Sequence, residues 1–269
     1  MDSEMAFESG YLASPITVKK ESPFFVLRGN LYILPGDPLL PIVVKLLPDE
    51  IRAVEAVCAW IARELGLPAP RPFFVRVRRS KLPSNRRWPF KEDEALCIGT
   101  EEISGGQVLK KFDSETIKPL LYKWPHLLTV AVFDHLIAND DRSDENLILD
   151  GRMHIWIIDH GRAFGGIVSM NMFDEPFPSF KNALLDMVAS LPPAQRNQMR
   201  GDILTAVART VEVVGRIPYS ALEVDAPLAS KIETLLQRRA NALHAMVSSE
   251  LGMPELFPTA TSSTNKNLQ

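Results

Sequence analysis

The hydrophobic pattern of this chain changes period near residue 100, and that change constrains the fold more than any other feature. Upstream, apolar and β-branched residues come in short runs over 24–27, 31–34, 41–47, 73–77 and 95–98. These runs, broken by Arg28-Gly29-Asn30 and by Pro35-Gly36-Asp37-Pro38, predict a small antiparallel sheet. One interruption is helical: Val54, Val57, Cys58, Ile61, Ala62 and Leu65 recur at helical spacing after Asp49, and Gly66 with Pro68 stops them. From about residue 114 the helical period dominates, over 126–138, 180–190, 193–214 and 227–251. The exception is a hairpin pattern over 147–158 around Asp150-Gly151, a dipeptide favoured in two-residue turns. The expected class is α+β, with a β-rich lobe over 21–100 carrying one helix and a helical lobe over 101–252. The two would join near 98–106, with a cleft at the join. Residues 1–20 are weakly patterned and read as a flexible N-terminus, and 253–269 read as a disordered tail.

Charge and cysteine content remove several function classes. A net charge of -3 lacks the basic surplus of a polyanion binder, so no direct nucleic-acid contact is expected. Arg76, Arg78, Arg79, Lys81, Arg86 and Arg87 form a local basic cluster, read as a solvated loop. Cys58 and Cys97 sit in apolar surroundings and read as buried free thiols. No apolar run is long enough for a bilayer, and the acidic start lacks a secretory pattern, so a cytoplasmic protein without membrane contact is expected.

The chemistry concentrates between residues 139 and 161. An apolar helix would deliver a loop carrying Asp141 and Asn146, and the hairpin would return the chain to the same region with Asp159 at its end. In that arrangement Asp141 can orient a hydroxyl and accept its proton, while Asn146 and Asp159 supply hard oxygen ligands for a cation that bridges phosphates. A polar loop with an Asx turn explains Asp141 and Asn146 equally well. It does not explain Asp159, a charge at the end of Ile155-Trp156-Ile157-Ile158 that would sit against the core unless a cation neutralised it. Upstream, Lys45 ends an apolar strand and Glu55 follows on the next helix, a pairing able to hold an ammonium near phosphates. Asp134-His135 and Asp159-His160, with His126 and His154, do not have the order of a metallophosphohydrolase site, and His135 is expected to hydrogen-bond within the helical core or to fix the catalytic loop. Trp124 and Trp156 read as packing residues.

The run 133–147, with Ile158-Asp159-His160-Gly161, resembles the catalytic and metal-binding segments of HipA-like kinases. A separate stretch agrees: Val43-Val44-Lys45, Glu55 and the Leu65-Gly66-Leu67-Pro68 signature are similar to that family's nucleotide lysine, helix glutamate and following loop. The resemblance covers residues 20 to 250 and implies a bilobal protein-kinase-like fold. It implies ATP and Mg2+ as cofactors, Lys45 on nucleotide phosphate, Glu55 paired with Lys45, Asp141 as base, and Asn146 and Asp159 on the metal. Adenine would meet backbone groups over 97–101, including Ile98 and Gly99. The acceptor would be a hydroxyl, with Ser or Thr of a protein leading and a lipid or small molecule as the alternative, and an antitoxin-like protein is an implied regulator. This chain departs from the family in having Ser143 where His is common, in the acidic Asp144 and Glu145, and in lacking a glycine-rich loop around Glu21-Ser22-Pro23 or Arg28-Gly29-Asn30. Those departures keep open a pseudokinase-like module that binds a nucleotide or a partner without turnover.

Overall fold

The computed structural model describes residues 6–19, 25–82, 88–166 and 180–253. The class is α+β, as the change of period predicts. The first half is a closed barrel of five strands: β1 (Ser9–Lys19), β2 (Phe25–Tyr32), β3 (Leu40–Leu46), β4 (Pro72–Arg78) and β5 (Glu94–Glu101), in the order β1-β2-β3-β5-β4. A parallel pairing of β1 with β4, from Ser9 opposite Phe74 to Tyr11 opposite Arg76, closes it. The expected small antiparallel sheet is therefore corrected to a closed barrel with one parallel seam.

Two further expectations are corrected here. Residues 9–19, read as part of a flexible end, form β1. Its register against β2 shifts between Leu12 and Ser14 and again between Pro15 and Thr17. Such irregularities accommodate a proline in a strand and erase the alternation by which a strand is recognised in sequence. Arg28-Gly29-Asn30, read as a turn, lies inside β2, where Gly29 is opposite Pro15 on one side and Ile42 on the other. Strands on both flanks hold the glycine extended despite its freedom. The Pro35-Gly36 turn is where it was expected: Asp37 N donates to Leu34 O at 3.1 Å, with Gly36 at φ 94.

The barrel interior is filled by Leu27, Leu31, Ile42, Val44, Phe73, Val75 and Cys97 among others. Phe74 and Ile98 instead belong to a second core, shared with α1 (Asp49–Glu64) and the helical half. Burial raises the pKa of both thiols, Cys97 to about 12, so both are the inert buried cysteines expected.

The helical half contains α2 (Ser114–Lys123), α3 (Leu127–Leu136), α4 (Ala163–Gly166), α5 (Ala183–Ala189), α6 (Pro193–Gln198), α7 (Arg200–Val214) and α8 (Ala226–Leu251). In α3 every residue except Thr129 is buried, and the helix touches α5, α7 and α8. A sequence apolar on nearly all faces has no other stable place. His135 packs its ring on Phe180 at 5.1 Å, and its buried Nδ1 has no partner among the described residues. A small sheet of β6 (Gln107–Val108), β7 (Leu147–Leu149) and β8 (Ile155–Ile157) lies beside the helices. Its hairpin turn is one residue longer than the dipeptide suggests. Asp150 N donates to His154 O at 3.0 Å, which leaves residues 151–153 as the loop, with Met153 left-handed at φ 66. No helix among the described residues is long and apolar enough to cross a membrane. Arg86, Arg87, Glu21-Ser22-Pro23 and the polar tail lie outside the described residues.

Candidate active site

Three elements deliver charge to one point. Because Val44 faces the barrel interior, strand alternation turns Lys45 outward, toward α1. There Lys45 Nζ donates to Glu55 Oε1 and, at 2.7 Å, to Asp159 Oδ1 just beyond β8. Burial opposes the charge on Lys45, but Glu55 and Asp159 together raise its pKa above the ordinary lysine value. Burial likewise raises Glu55, with Lys45 opposing. Asp159 is 44% exposed, and Lys45 overrides what burial it has, holding its carboxyl below the usual range. Lys45 is thus the cation that Asp159 needed at the end of an apolar strand.

The backbone around Asp159 is shaped to this contact. Asp159 is left-handed at φ 60, a region that Asp tolerates better than most residues. His160 N donates to Glu55 Oε2 at 3.2 Å, so both oxygens of Glu55 are committed. Gly161 N donates to Asp159 Oδ1 at 3.2 Å. A Cβ on Gly161 would lie 3.2 Å from Glu55 Oε1 and 3.3 Å from Asp159 Oδ1, so glycine lets the chain pass close to two carboxylates.

A second unit lies on the loop between α3 and β7. Asn146 Nδ2 donates to Asp141 Oδ2 at 3.0 Å and to Asp141 O. That commits the amide nitrogen and leaves Asn146 Oδ1 as the available donor atom. Ser143 shapes the turn: its N donates to Asp141 O at 2.7 Å, and its O accepts from Asn146 N at 3.0 Å. The acidic pair at 144 and 145 is less unbalanced than the sequence suggests, because Lys110 Nζ pairs with Glu145 at the surface. The two units are joined at Ile158 N, which donates to Asn146 O at 3.1 Å.

Ile98 and Gly99, expected to meet adenine through their backbone, lie inside β5 with β3 on one side and β4 on the other. Their peptide groups face neighbouring strands, and a Cβ on Gly99 would meet Ile42 Cδ1 at 2.9 Å. The pairing runs on to Glu102, whose N donates to Pro41 O, and beyond it Ile103 O accepts from Gly106 N. A cavity of about 1410 Å3 on this connector is lined by Arg63, Arg71, Glu101, Asp150 and Trp156, and includes none of Lys45, Asp141, Asn146 or Asp159.

The donor set suits a hard cation. Asn146 Oδ1 and the Asp159 carboxylate could supply two oxygen ligands, the small protein share typical where phosphates and water complete the shell of a hard cation. Among the described residues no group of three or more His, Cys, Asp and Glu forms a self-sufficient metal cage, and Asp134 of the rival constellation is paired with Arg142. The family model for HipA-like kinases matches residues 43–251 of this chain. The chain belongs to the HipA-like kinase family. Among solved structures, a proinflammatory kinase of Helicobacter pylori, CtkA, is similar, with 13% identity and a TM-score of 0.49 over 86% of this chain and 96% of that one. No curated protein matches. Three residues of this HipA-like kinase that bear on the site escaped the sequence reading of roles: Asn139, Arg142 and Gly161. Their only sequence signal is position within the motif. Asp134 lies in the 133–147 run that carries the resemblance, but its pairing with Arg142 has no local sequence signal.

Proposed function

We propose that the chain transfers the γ-phosphoryl group of ATP to a hydroxyl, in a cleft between a barrel lobe and a helical lobe arranged as in bilobal kinases. The observation that carries this reading is Lys45 bridging Glu55 and Asp159 beside the Asp141–Asn146 unit. Asn146 Oδ1 and Asp159 would hold Mg2+, which neutralises phosphate charge, while ATP supplies the phosphoryl group. Lys45 exchanges Asp159 for a phosphate oxygen, and Glu55 keeps the ammonium in place during the exchange. Asp141 is half-buried, with Oδ2 held by Asn146, so Oδ1 faces the acceptor and takes the hydroxyl proton. Backbone groups over 103–105, rather than Ile98 and Gly99, meet adenine. Ser or Thr of a protein is the leading acceptor class.

The test is ATP-dependent thermal stabilisation with and without magnesium, run beside an assay of phosphoryl transfer to a protein substrate mixture. Stabilisation that grows with magnesium, together with transfer, supports the kinase reading. Stabilisation without transfer would move the chain to the pseudokinase-like class.

A further inference from the structure

The adjacent residue to the proposed base carries no chemistry of its own, yet it is among the most enclosed charges in the molecule. The Arg142 and Asp134 side chains are both 0% exposed. Arg142 Nε donates to Asp134 Oδ2 at 2.9 Å, and its Nη2 donates to Asp134 Oδ1 at 3.0 Å. The remaining nitrogen, Nη1, donates to Ile158 O at 2.7 Å and to Asn146 O at 3.2 Å. On the other flank, Asn139 Nδ2 donates to Asp134 Oδ1 at 2.9 Å, and Asn139 Oδ1 accepts from Asp141 N at 3.2 Å.

One guanidinium therefore holds the carbonyl of Asn146 and the carbonyl just before Asp159, and its carboxylate partner reaches the amide of Asp141 through Asn139. Every partner in this set is on α3 or on a segment carrying a proposed site residue. Buried ion pairs are weak sources of stability, since apolar replacements of equal volume are often neutral or better. What a planar fork adds is fixed direction, which a lysine ammonium cannot reproduce across a carboxylate and two carbonyls. We propose that Asp134 and Arg142 are a buried positioning pair, a strut that sets the distance between the loop bearing Asp141 and Asn146 and the strand end bearing Asp159. The inference rests on the kinase reading for its consequence in turnover, but not for its geometry.

Two variants test it: Arg142→Lys, which keeps the charge pairing with Asp134, and the neutral double variant Asp134→Asn/Arg142→Gln, which avoids an unpaired buried charge. Measured well below the melting temperature and per folded molecule, both are expected to lower kcat about 100-fold with KM for ATP within about threefold, the scale of a displacement of about 1 Å. The magnesium-dependent gain in ATP affinity should shrink in parallel. A merely structural pair would be rescued by lysine, with a lower melting temperature and unchanged kcat per folded molecule, and that result overturns the proposal. Amide hydrogen exchange provides the arm that needs no activity. Segments 139–147 and 157–161 should lose protection together while α7 and α8 keep theirs; loss confined to 139–147 also overturns it. A wild-type protein that shows neither transfer nor a magnesium effect sinks the kinase reading alone, and the exchange pattern still decides the strut.

Discussion

Two charged networks meet at this site, and they differ in what they hold on to. Lys45, Glu55 and Asp159 are 22%, 8% and 44% exposed at their side chains, whereas Asp134 and Arg142 are sealed. In the open network Lys45, among the described residues, bonds to the side chains of Glu55 and Asp159, so an incoming anion can replace Asp159 on it without breaking a bond from Lys45 to backbone. In the sealed one, carbonyls of two separate segments are partners, and none can be exchanged without bending the chain. A nucleotide site needs both kinds: one that gives way to ligand and one that does not.

The largest effects should come from the open side. Asp141→Asn is expected to lower turnover by about two to four orders of magnitude while ATP and magnesium still bind. Asp159→Asn should lower turnover and also abolish the magnesium-dependent part of ATP binding, because it removes the proposed metal ligand as well as a partner of Lys45. Asn also tolerates the left-handed backbone at 159, so the change isolates charge from strain. Parallel titrations of ATP with and without magnesium check both, and identical behaviour of the two variants would erase the division of roles. Next, Lys45→Met should weaken ATP binding by roughly tenfold to a hundredfold, the worth of a hydrogen bond to a charged group. It should also lower the melting temperature, since Glu55 is left buried without its cation. Glu55→Gln should be milder on both readouts by isothermal titration and melting.

A pH experiment probes the sealed interior. Burial, with Arg239 adding to it, lowers the pKa of His135 to about 4 from 6.5. The unfolded chain therefore takes up the proton first, so this stability is present in full above pH 6.5 and is lost as pH falls from 6.5 to about 4. The loss amounts to about 3 kcal/mol at most. Urea midpoints at pH 7.5 and pH 5, in wild type and His135→Gln, should show a steeper fall in the wild type. The smallest effect is expected at the seam between the networks. Gly161→Ala places a methyl against two carboxylates and should cost about 1 kcal/mol in stability and a few-fold in turnover.

The parts of this site visible in the sequence were those set by local spacing. Asp141 and Asn146 share one loop, Asp159 follows from the hairpin, and Lys45 with Glu55 follows from a strand and the next helix. What was not visible depends on pairing between distant segments. Strand β1 was hidden because register shifts around Ser14 and Pro15 break its alternation, and its place is set by β2 and β4. Ile98 and Gly99 look like connector residues until the extent of the β4 and β5 ladder is known. Arg142 carries no local pattern that marks it as buried, and only the folding of its loop over Asp134 turns it inward.

The closure of the barrel has a consequence for how other proteins can approach. A strand donor needs a free row of amides and carbonyls, and where β1 pairs with β4, from Ser9 to Tyr11, no such row is left to lend. The small sheet is little better placed, for β8 is three residues long and Ile157 N already donates to Pro68 O at 2.8 Å. Strand addition is therefore disfavoured along these edges, and a protein docking there would be left to recognise side-chain surface. Selection for such a partner would be written in exposed residues of helices and loops, where sequence can drift without unmaking the fold.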